Sequence, residues 1–318
     1  MTGDAALEIV PADTLERVGE HVVLREVTVT PGMCGHNALL IGQIGDWTWD
    51  TVSRLCGVNA FRAVDGNGLP TYLSFYFYQV FGDREFHLRT PTFGDRLQVV
   101  STCYALGSES VVTLHRLAGA SRRLAPRLSA EELATARLPG CLYVQNLNRW
   151  IRRGARGNSE LHIASPAGFR QAHLPALASE LSPRASCDTG RRRGAFAPTA
   201  DHEPTGTWTI PYEVDPARDL NGVGLLCFAS YFAIADGALA KVWQVLGRTE
   251  HSFLGRVIVD TRVCFLGNAE PGTLLSVRVS RSTRRGELAA ERFDIQIMEA
   301  RSQRMLAVIA LDGEGGTP

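Results

Sequence analysis

The sequence predicts an α+β fold in which one structural unit occurs twice. Each copy reads as a strand, a loop that contains an asparagine, a helix and then several antiparallel strands. When the copies are laid on each other at their loops, Asn37 falls on Asn221, and Trp47 falls on Tyr231 ten residues later. This agreement in element order and in residue type indicates an internal duplication that covers roughly the whole chain.

The first copy begins with a run of β-branched residues. His21–Thr30 predicts a strand, which Pro31 and Gly32 end. After a turn-rich approach, a short helix is expected from Trp47 to Leu55, with Asp46 as its N-cap. Further strands are expected over residues 69–80, 96–104, 110–117, 142–151 and 160–164.

The second copy restarts at Trp208, after a Ser-, Gly-, Pro- and Thr-rich segment around Arg191–Arg193 that can bury little apolar surface. Its helix is expected from about Ala229 to Gly247, and its strands over residues 208–214, 256–265, 273–280, 287–298 and 304–311. A curled antiparallel sheet around a central helix is the hot-dog layout, so two copies predict a double hot dog. The expected halves are residues 1–180 and 207–318, joined by a linker over residues 181–206.

The strand from Leu69 to Val80 alternates between hydroxyl-bearing and apolar side chains. The two predicted faces are Tyr72, Ser74, Tyr76 and Tyr78 on one side and Leu73, Phe75 and Phe77 on the other. A face of phenols next to a Trp-rich helix is typical of the wall of a pocket between helix and sheet. Aromatic residues also favour strands for packing alone, so this pattern by itself leaves both interpretations open.

Composition and charge give no support for nucleic acid, a membrane, a metal ion or a redox cofactor as a partner of this chain. Basic and acidic residues number 33 each, which gives no reason to expect nucleic acid or an anionic membrane as a partner. The seven cysteines are scattered without a Cys-x-x-Cys pair, which favours reduced thiols in the cytoplasm. Neither a signal peptide nor a membrane-spanning run is recognised. No metal-ligand spacing and no phosphate-binding glycine loop occurs, so we expect no metal, flavin or nicotinamide.

Arginine is concentrated between Ser121 and Gly157. This stretch has eight arginines and two glutamates, so 8 − 2 gives a local charge of +6. Such a surface suits a coenzyme A phosphate or an acidic carrier-protein helix, and it equally suits solvated strand edges.

Two short motifs, Gly45–Trp49 and Pro70–Phe75, resemble the LnmK family, the bifunctional acyltransferase/decarboxylases of leinamycin-type polyketide pathways. The resemblance extends into the second half through Asp219–Gly222 and the helix around Tyr231. It implies a double hot dog that decarboxylates methylmalonyl-CoA, holds the propionyl group on a tyrosine and delivers it to an acyl carrier protein. Coenzyme A then enters as a thioester substrate, and no cofactor is implied.

On that resemblance, Tyr72 is our candidate nucleophile, because it starts its strand nearest the loop end where a pantetheine arm would enter. Tyr76 and Tyr78 are the alternatives. His36 and Asn37 are candidate catalytic donors to the thioester oxygen. The expected substrate-binding residues are Tyr76, Ser74, Trp47 and Asn221.

Other functions of this fold stay open. A hot-dog thioesterase would be expected to carry a histidine after Gly222, where this chain has Val223, and a dehydratase motif starting at His36 would need glycine in place of Leu40. His36 and Asp236 would still form a pair across the halves. A non-catalytic module that binds acyl carriers is a further alternative, and a homodimer is suggested by analogy of fold alone.

Overall fold

The computed structural model of the chain describes residues 11–197 and 201–314. The strands are β1 Thr14–Arg17, β2 Val22–Thr28, β3 Tyr72–Phe81, β4 Arg96–Ala105, β5 Ser110–Gly119, β6 Leu142–Gly154, β7 Gly157–Ile163, β8 His202–Glu213, β9 Val257–Phe265, β10 Leu274–Arg284, β11 Glu287–Glu299 and β12 Met305–Glu314. The α-helices are α1 Asn37–Cys56, α2 Ala130–Thr135, α3 Arg184–Arg193, α4 Phe228–Val245 and α5 Glu250–Leu254. Short 3₁₀ turns lie at Pro31–Met33, Ala120–Arg122 and Ser179–Leu181.

All twelve strands belong to one antiparallel sheet. Its order is β1-β2-β4-β5-β6-β3-β9-β12-β11-β10-β8, with β7 added to β6. The N-terminal strands surround α1 and the C-terminal strands surround α4, and the halves join where β3 pairs with β9. The predicted α+β double hot dog is confirmed.

One apolar core is shared by both halves, because the central helices pack side by side in opposite directions. Asn37 at the start of α1 contacts Asp236 in α4, and Gly45 further along α1 contacts Phe228 at the start of α4. This antiparallel packing puts the two helix starts at opposite ends of the pair. The beginning of each helix therefore lies beside the middle of the other.

The predicted start of the first helix was wrong. α1 begins at Asn37, with His36 as its N-cap residue, and Asp46 lies in its middle. The stretch interpreted as a turn-rich approach, residues 33–40, contains the first turn of α1, and Gly42 and Gly45 within the helix allow the close approach of α4. The apolar spacing of Leu40, Ile41 and Ile44, all buried, belongs to the same helix.

A second apolar cluster covers the opposite face of the sheet. Cys187 of α3 packs there with Phe196 and with Cys264 of β9, at a sulfur-to-sulfur distance of 3.1 Å. The segment assigned to a linker, residues 181–206, thus contains a ten-residue helix that packs on the sheet. In the described part of the chain, no helix is long and apolar enough to cross a membrane.

Candidate functional site

The two half-sheets separate beside their junction and leave a cavity. Within the described strands, β9 pairs with β3 from Phe77 to Phe81, so the first half of β3 has an open edge on that side. A cavity of about 290 Å³ lies between this edge and the residues that follow β9. We call it the inner cavity, and its wall includes Trp49, Tyr72, Ser74, Phe75, Tyr76, Asn158, Ser159, Arg191, Asn221, Phe228, Tyr231, Phe265, Gly267, Asn268 and Arg304.

Phe228, the first residue of α4, forms an apolar part of this wall. Its ring stacks on Phe75 of β3 with centroids 4.1 Å apart. A Cβ atom on Gly45 would lie 2.2 Å from Phe228 Cζ, so α1 can pass behind this ring because position 45 has no side chain. The glycine thereby fixes where the ring enters the cavity.

The loop before α4 is held by two asparagines. Asn268, which is 9% exposed, accepts a hydrogen bond from Leu226 N at 2.9 Å and donates one to Leu226 O at 3.0 Å. Asn221 Oδ1 accepts from the backbone N–H groups of Val223 and Leu225 at 3.1 and 3.0 Å. Since the loop uses the carbonyl oxygen of Asn221, its amide NH2 is the group available to a ligand.

The β6–β7 hairpin reaches across to the C-terminal half and closes one side of the cavity. Asn158 is 2% exposed and donates from Nδ2 to Gly224 O at 2.8 Å and to Ala269 O at 2.9 Å. Its backbone N–H donates to Glu270 Oε1 at 2.6 Å. Buried hydrogen bonds of this kind are costly to leave unmade, so they hold the hairpin tip in place.

Two arginines lie close to Tyr76, the last residue of the open edge before the junction with β9. The guanidinium carbons of Arg149 and Arg191 lie 5.7 and 5.9 Å from the ring centroid of Tyr76. Arg304 reaches the wall from the β11–β12 turn, donates to Asn268 O at 2.7 Å and forms an ion pair with Glu299. The cavity is therefore suited to a ligand that carries or develops negative charge.

Tyr72 lies between the inner cavity and a second, more open one of about 460 Å³, which we call the outer cavity. The outer cavity is lined by Leu69, Pro70, Tyr72, Arg152, Arg153, Gly154, Ala155, Glu160 and His162. Tyr72 is half-buried and is part of the wall of both cavities. A ligand that extends from one cavity to the other would pass this phenol.

A family model for the LnmK N-terminal Hot Dog Fold domain matches residues 24–198, more than half of the 318 residues. The chain belongs to this LnmK-type hot-dog family. No curated protein sequence matches the chain significantly.

Solved structures agree with the fold. A protein from Lactobacillus plantarum named as an oleoyl thioesterase is 12% identical, with a TM-score of 0.58 over 93% of this chain and 96% of that one. An acyl-ACP thioesterase from Bacteroides thetaiotaomicron is 10% identical, with a TM-score of 0.51 over 92% and 98% of the two chains. At this level of identity the likeness extends to the fold alone.

Four of the predicted site residues of this LnmK-type chain line one cavity. Tyr72, Ser74 and Tyr76 come from β3, and Asn221 comes from the loop before α4, about 150 residues later. Arg191 and Arg304 line the same cavity and are the cationic residues of its wall in the described structure. Among the described residues, no group of three or more His, Cys, Asp and Glu side chains is arranged to hold a metal ion.

Tyr78 does not share this face, so the prediction that it points with Tyr72 was wrong. A β-bulge between Phe75 and Phe77 shifts the register by one residue, which turns Tyr78 to the helix side with Phe75. Its hydroxyl is buried without a hydrogen-bond partner in the described structure, and burial raises the pKa of the phenol well above its usual value.

The predicted donors His36 and Asn37 lie at the other end of α1. Because a helix rises about 1.5 Å per residue, Asn37 is about 18 Å along the axis from Trp49, which lines the inner cavity. His36 is exposed, whereas Asn37 donates to Asp236 at 2.9 Å, and Asp236 forms an ion pair with the buried Arg256 at 2.7 Å. The cross-half contact to Asp236 therefore comes from Asn37, and it is separate from the cavity.

Trp47 packs in the shared core, where it is 7% exposed. The residue of this motif that lines the inner cavity is Trp49. Its ring also packs on Phe61, with the two ring centroids 5.7 Å apart. Helical geometry explains the difference. Side chains two residues apart on an α-helix are rotated by about 200° around its axis, so Trp47 and Trp49 point in nearly opposite directions.

A buried polar chain fastens α1 to the sheet away from the cavity. His115 contacts Ser101 through Nδ1 at 2.8 Å and Thr48 through Nε2 at 2.9 Å, and Arg25 continues the chain from Ser101 to Asp50. Burial, together with the positive charge of Arg25, lowers the pKa of His115 to about 3. The imidazole is thus neutral at physiological pH and positions the helix.

Several residues of the cavity wall carry no local signal in the sequence. Asn158 is the second residue of β7, Asn268 lies in the connection between β9 and β10, and Arg304 lies in the turn between β11 and β12. Their role depends on contacts between segments 36 to 111 residues apart. Only the tertiary structure brings them together.

Proposed function

We propose that the chain is a decarboxylase and acyltransferase that takes methylmalonyl-CoA and passes the propionyl group, through an ester on Tyr72, to an acyl carrier protein. The proposal combines the LnmK-type family membership with the position of Tyr72 between the two cavities. The acyl group would occupy the inner cavity and the pantetheine arm the outer one. The thioester would then lie beside the phenol, as nucleophilic catalysis requires.

The observation that carries the proposal is the set of ionisable groups on the inner wall. Among the described residues these are the phenols of Tyr72, Tyr76 and Tyr231 and the guanidinium groups of Arg191 and Arg304. Tyr231 donates its hydroxyl to Gly267 O at 2.6 Å, which leaves Tyr72 and Tyr76 for chemistry. The described residues of this wall offer phenols as proton donors and guanidinium groups as cations, but no carboxylate or imidazole that could act as a base. The wall therefore suits a reaction in which the substrate itself becomes the base.

Decarboxylation supplies such a base. The bond between the α-carbon and the carboxylate breaks, CO2 leaves, and the electron pair remains as a thioester enolate. The enolate carbon is a strong base and takes the phenol proton of Tyr72, which gives the propionyl thioester and a phenolate. The phenolate attacks the thioester carbonyl, the C–S bond breaks, and coenzyme A leaves as the thiolate.

Transfer to the carrier reverses the last step. The thiol of the carrier's phosphopantetheine attacks the tyrosine ester, the phenolate leaves, and the thiol proton returns to Tyr72. Oxygen that becomes negative during these steps needs donors already in place. The amide NH2 of Asn221 and the guanidinium of Arg304 are the donors we assign, in place of the distant His36 and Asn37.

The test is incubation with methylmalonyl-CoA labelled with ¹³C in the free carboxylate, with and without a phosphopantetheine-bearing carrier. We expect labelled CO2 in both reactions and propionyl-carrier in the second, and the apo-carrier is the matched control that should remain unmodified. Release of free methylmalonate or propionate without acylated carrier would instead establish a thioesterase. Intact substrate is the result that a non-catalytic binding module predicts, and either result would overturn the proposal.

A further inference from the structure

We propose that the thiols of Cys187 and Cys264 form an oxidation site, and that the disulfide made there locks α3 against the sheet beside the inner cavity. All seven cysteines of the chain are free thiols in the structure. The sulfur atoms of this pair lie 3.1 Å apart. The inference depends on the packing of α3 on β9 and not on the proposed reaction.

Close packing of α3 on β9 brings the two thiols together. Cys187 and Gly190, about one helical turn apart, are the buried residues of α3. A Cβ atom on Gly190 would lie 3.2 Å from the Cβ atom of Cys264, so the helix can approach the strand this closely because position 190 has no side chain. Two cysteines 77 residues apart in the chain are thereby in direct contact.

Backbone carbonyl groups orient both thiols. Cys187 Sγ donates to Tyr76 O at 3.6 Å, and Cys264 Sγ donates to Cys187 O at 3.3 Å. Each sulfur atom is therefore held beside the other in the folded protein. A disulfide has an S–S bond of about 2.05 Å, so the two atoms need to approach each other by about 1 Å.

The two thiols differ in how readily they ionise. The hydrogen bond from the Cys264 thiol and the nearby guanidinium of Arg191 lower the pKa of Cys187, although burial opposes this effect. The same hydrogen bond, together with burial, raises the pKa of Cys264. A thiol that ionises readily beside a second thiol is the arrangement of an attacking and a resolving cysteine.

The surface position of α3 gives an oxidant access to the pair. Cys187 is 4% exposed, and it is covered by a ten-residue helix in which two residues are buried. Beyond the helix, Gln296 Nε2 donates to Gly194 O at 2.7 Å, and Phe196 packs edge-on against Phe77. A surface helix with so little buried area opens locally more easily than the core, which exposes the thiols to a molecule as small as a peroxide.

A peroxide supplies the oxidising equivalents. The Cys187 thiolate attacks one oxygen of hydrogen peroxide, the O–O bond breaks, and the sulfur becomes a sulfenic acid while hydroxide leaves and takes up the thiol proton. The Cys264 sulfur then attacks the Cys187 sulfur, the S–O bond breaks, and a second hydroxide leaves with the Cys264 proton. Two thiols are oxidised to a disulfide, and one hydrogen peroxide is reduced to two water molecules.

The disulfide would connect α3 to the junction of the two half-sheets. Cys264 is paired with Phe77, the residue of β3 at which the pairing with β9 starts. Arg191, one turn after Cys187, lines the inner cavity with its guanidinium carbon 5.9 Å from the ring centroid of Tyr76. Oxidation therefore holds Arg191 at the cavity wall.

The first experiment counts free thiols in the full chain before and after treatment with hydrogen peroxide, by alkylation of the unfolded protein and intact mass. The reduced protein should carry seven labels, and the oxidised protein should carry two fewer. Peptide mapping should show a Cys187–Cys264 link that dithiothreitol removes. Cys264→Ala should form no link, whereas Cys34→Ala, which removes a partly exposed thiol elsewhere, should still form it.

A second thiol pair is the internal control. Cys56 of α1 and Cys103 of β4 are also hydrogen-bonded to each other, but both are 0% exposed and lie in the core. This pair should stay reduced. Seven labels after treatment, or a link between any two cysteines other than Cys187 and Cys264, would overturn the inference.

Limited proteolysis with trypsin tests whether the bond locks α3. The exposed run Arg191–Arg193 ends the helix, and a protease cleaves it when the helix opens. Oxidation should slow this cleavage severalfold, and dithiothreitol should restore it. Arg285, which is 78% exposed in the β10–β11 turn, is the matched cleavage site whose rate should not change. Equal cleavage of α3 in the reduced and the linked protein would overturn the lock.

Discussion

Replacing Gly45 with alanine tests how the two central helices set the cavity wall. In an isolated helix, replacing glycine with alanine stabilises the helix by about 1 kcal/mol. Here the new Cβ would lie 2.2 Å from Phe228 Cζ and 2.6 Å from Cε1, well inside the normal contact distance. The ring cannot retreat freely, because Phe75 stacks on it at 4.1 Å.

Overpacking of a core costs about 1 to 3 kcal/mol, so Gly45→Ala should destabilise the protein by up to about 2 kcal/mol after the helix gain of about 1 kcal/mol is subtracted. Gly42→Ala is the matched control on the same helix. Its Cβ would lie 3.8 Å from Ala229 Cβ, an ordinary contact, so it should stabilise by up to about 1 kcal/mol.

Urea unfolding midpoints measure both changes. If the clash is with the Phe228 ring, Gly45→Ala should no longer be destabilising when it is made in a Phe228→Ala background, as a double-mutant cycle would reveal. Equal stabilisation by Gly42→Ala and Gly45→Ala in the wild-type background would refute the packing of Phe228 against Gly45.

Two further predictions concern buried polar groups. The native pKa of His115, about 3, lies below its ordinary value of 6.5, so the native state binds fewer protons in that window and stability falls as pH falls through it. His115→Gln should therefore lessen the loss of unfolding free energy between pH 7 and pH 5 by about 2 kcal/mol, and identical pH profiles would contradict this. Asp236→Ala leaves Arg256, 3% exposed, without its carboxylate and should destabilise by about 3 kcal/mol or more, against about 0.5 kcal/mol or less for Arg285→Gln. Similar effects of these two substitutions in urea would contradict the buried pair.

The order of elements was predictable from the sequence because periodicity and turn residues are local. The helix predicted to start at Ala229 begins at Phe228, and the strand predicted to end at Phe265 ends there. The start of α1 was not predictable in the same way. Gly42 and Gly45 lower the local helix propensity. The fold requires glycine at these positions because α1 packs closely there against α4, a helix almost 190 residues later in the chain.

The cavity was predictable in part. Alternation along β3 correctly grouped Tyr72, Ser74 and Tyr76, but no local rule signals the bulge that turns Tyr78 away. Duplication equated Asn37 with Asn221, although antiparallel packing of the two helices puts their starts at opposite ends. A repeat in sequence therefore gives two similar loops, and only the packing decides which one meets the tyrosines.

The most direct test of the central claim is the intact mass of the protein after addition of methylmalonyl-CoA without carrier. Wild type should gain one propionyl group, and peptide mapping should locate it on Tyr72. Tyr72→Phe keeps the ring and removes the hydroxyl, so it should gain none, while the matched Tyr76→Phe, which leaves Tyr72 in place on the same wall, should still be acylated. An adduct that persists on Tyr72→Phe, or that maps to Tyr76 or to a cysteine, would contradict the assignment of Tyr72 as the acyl carrier.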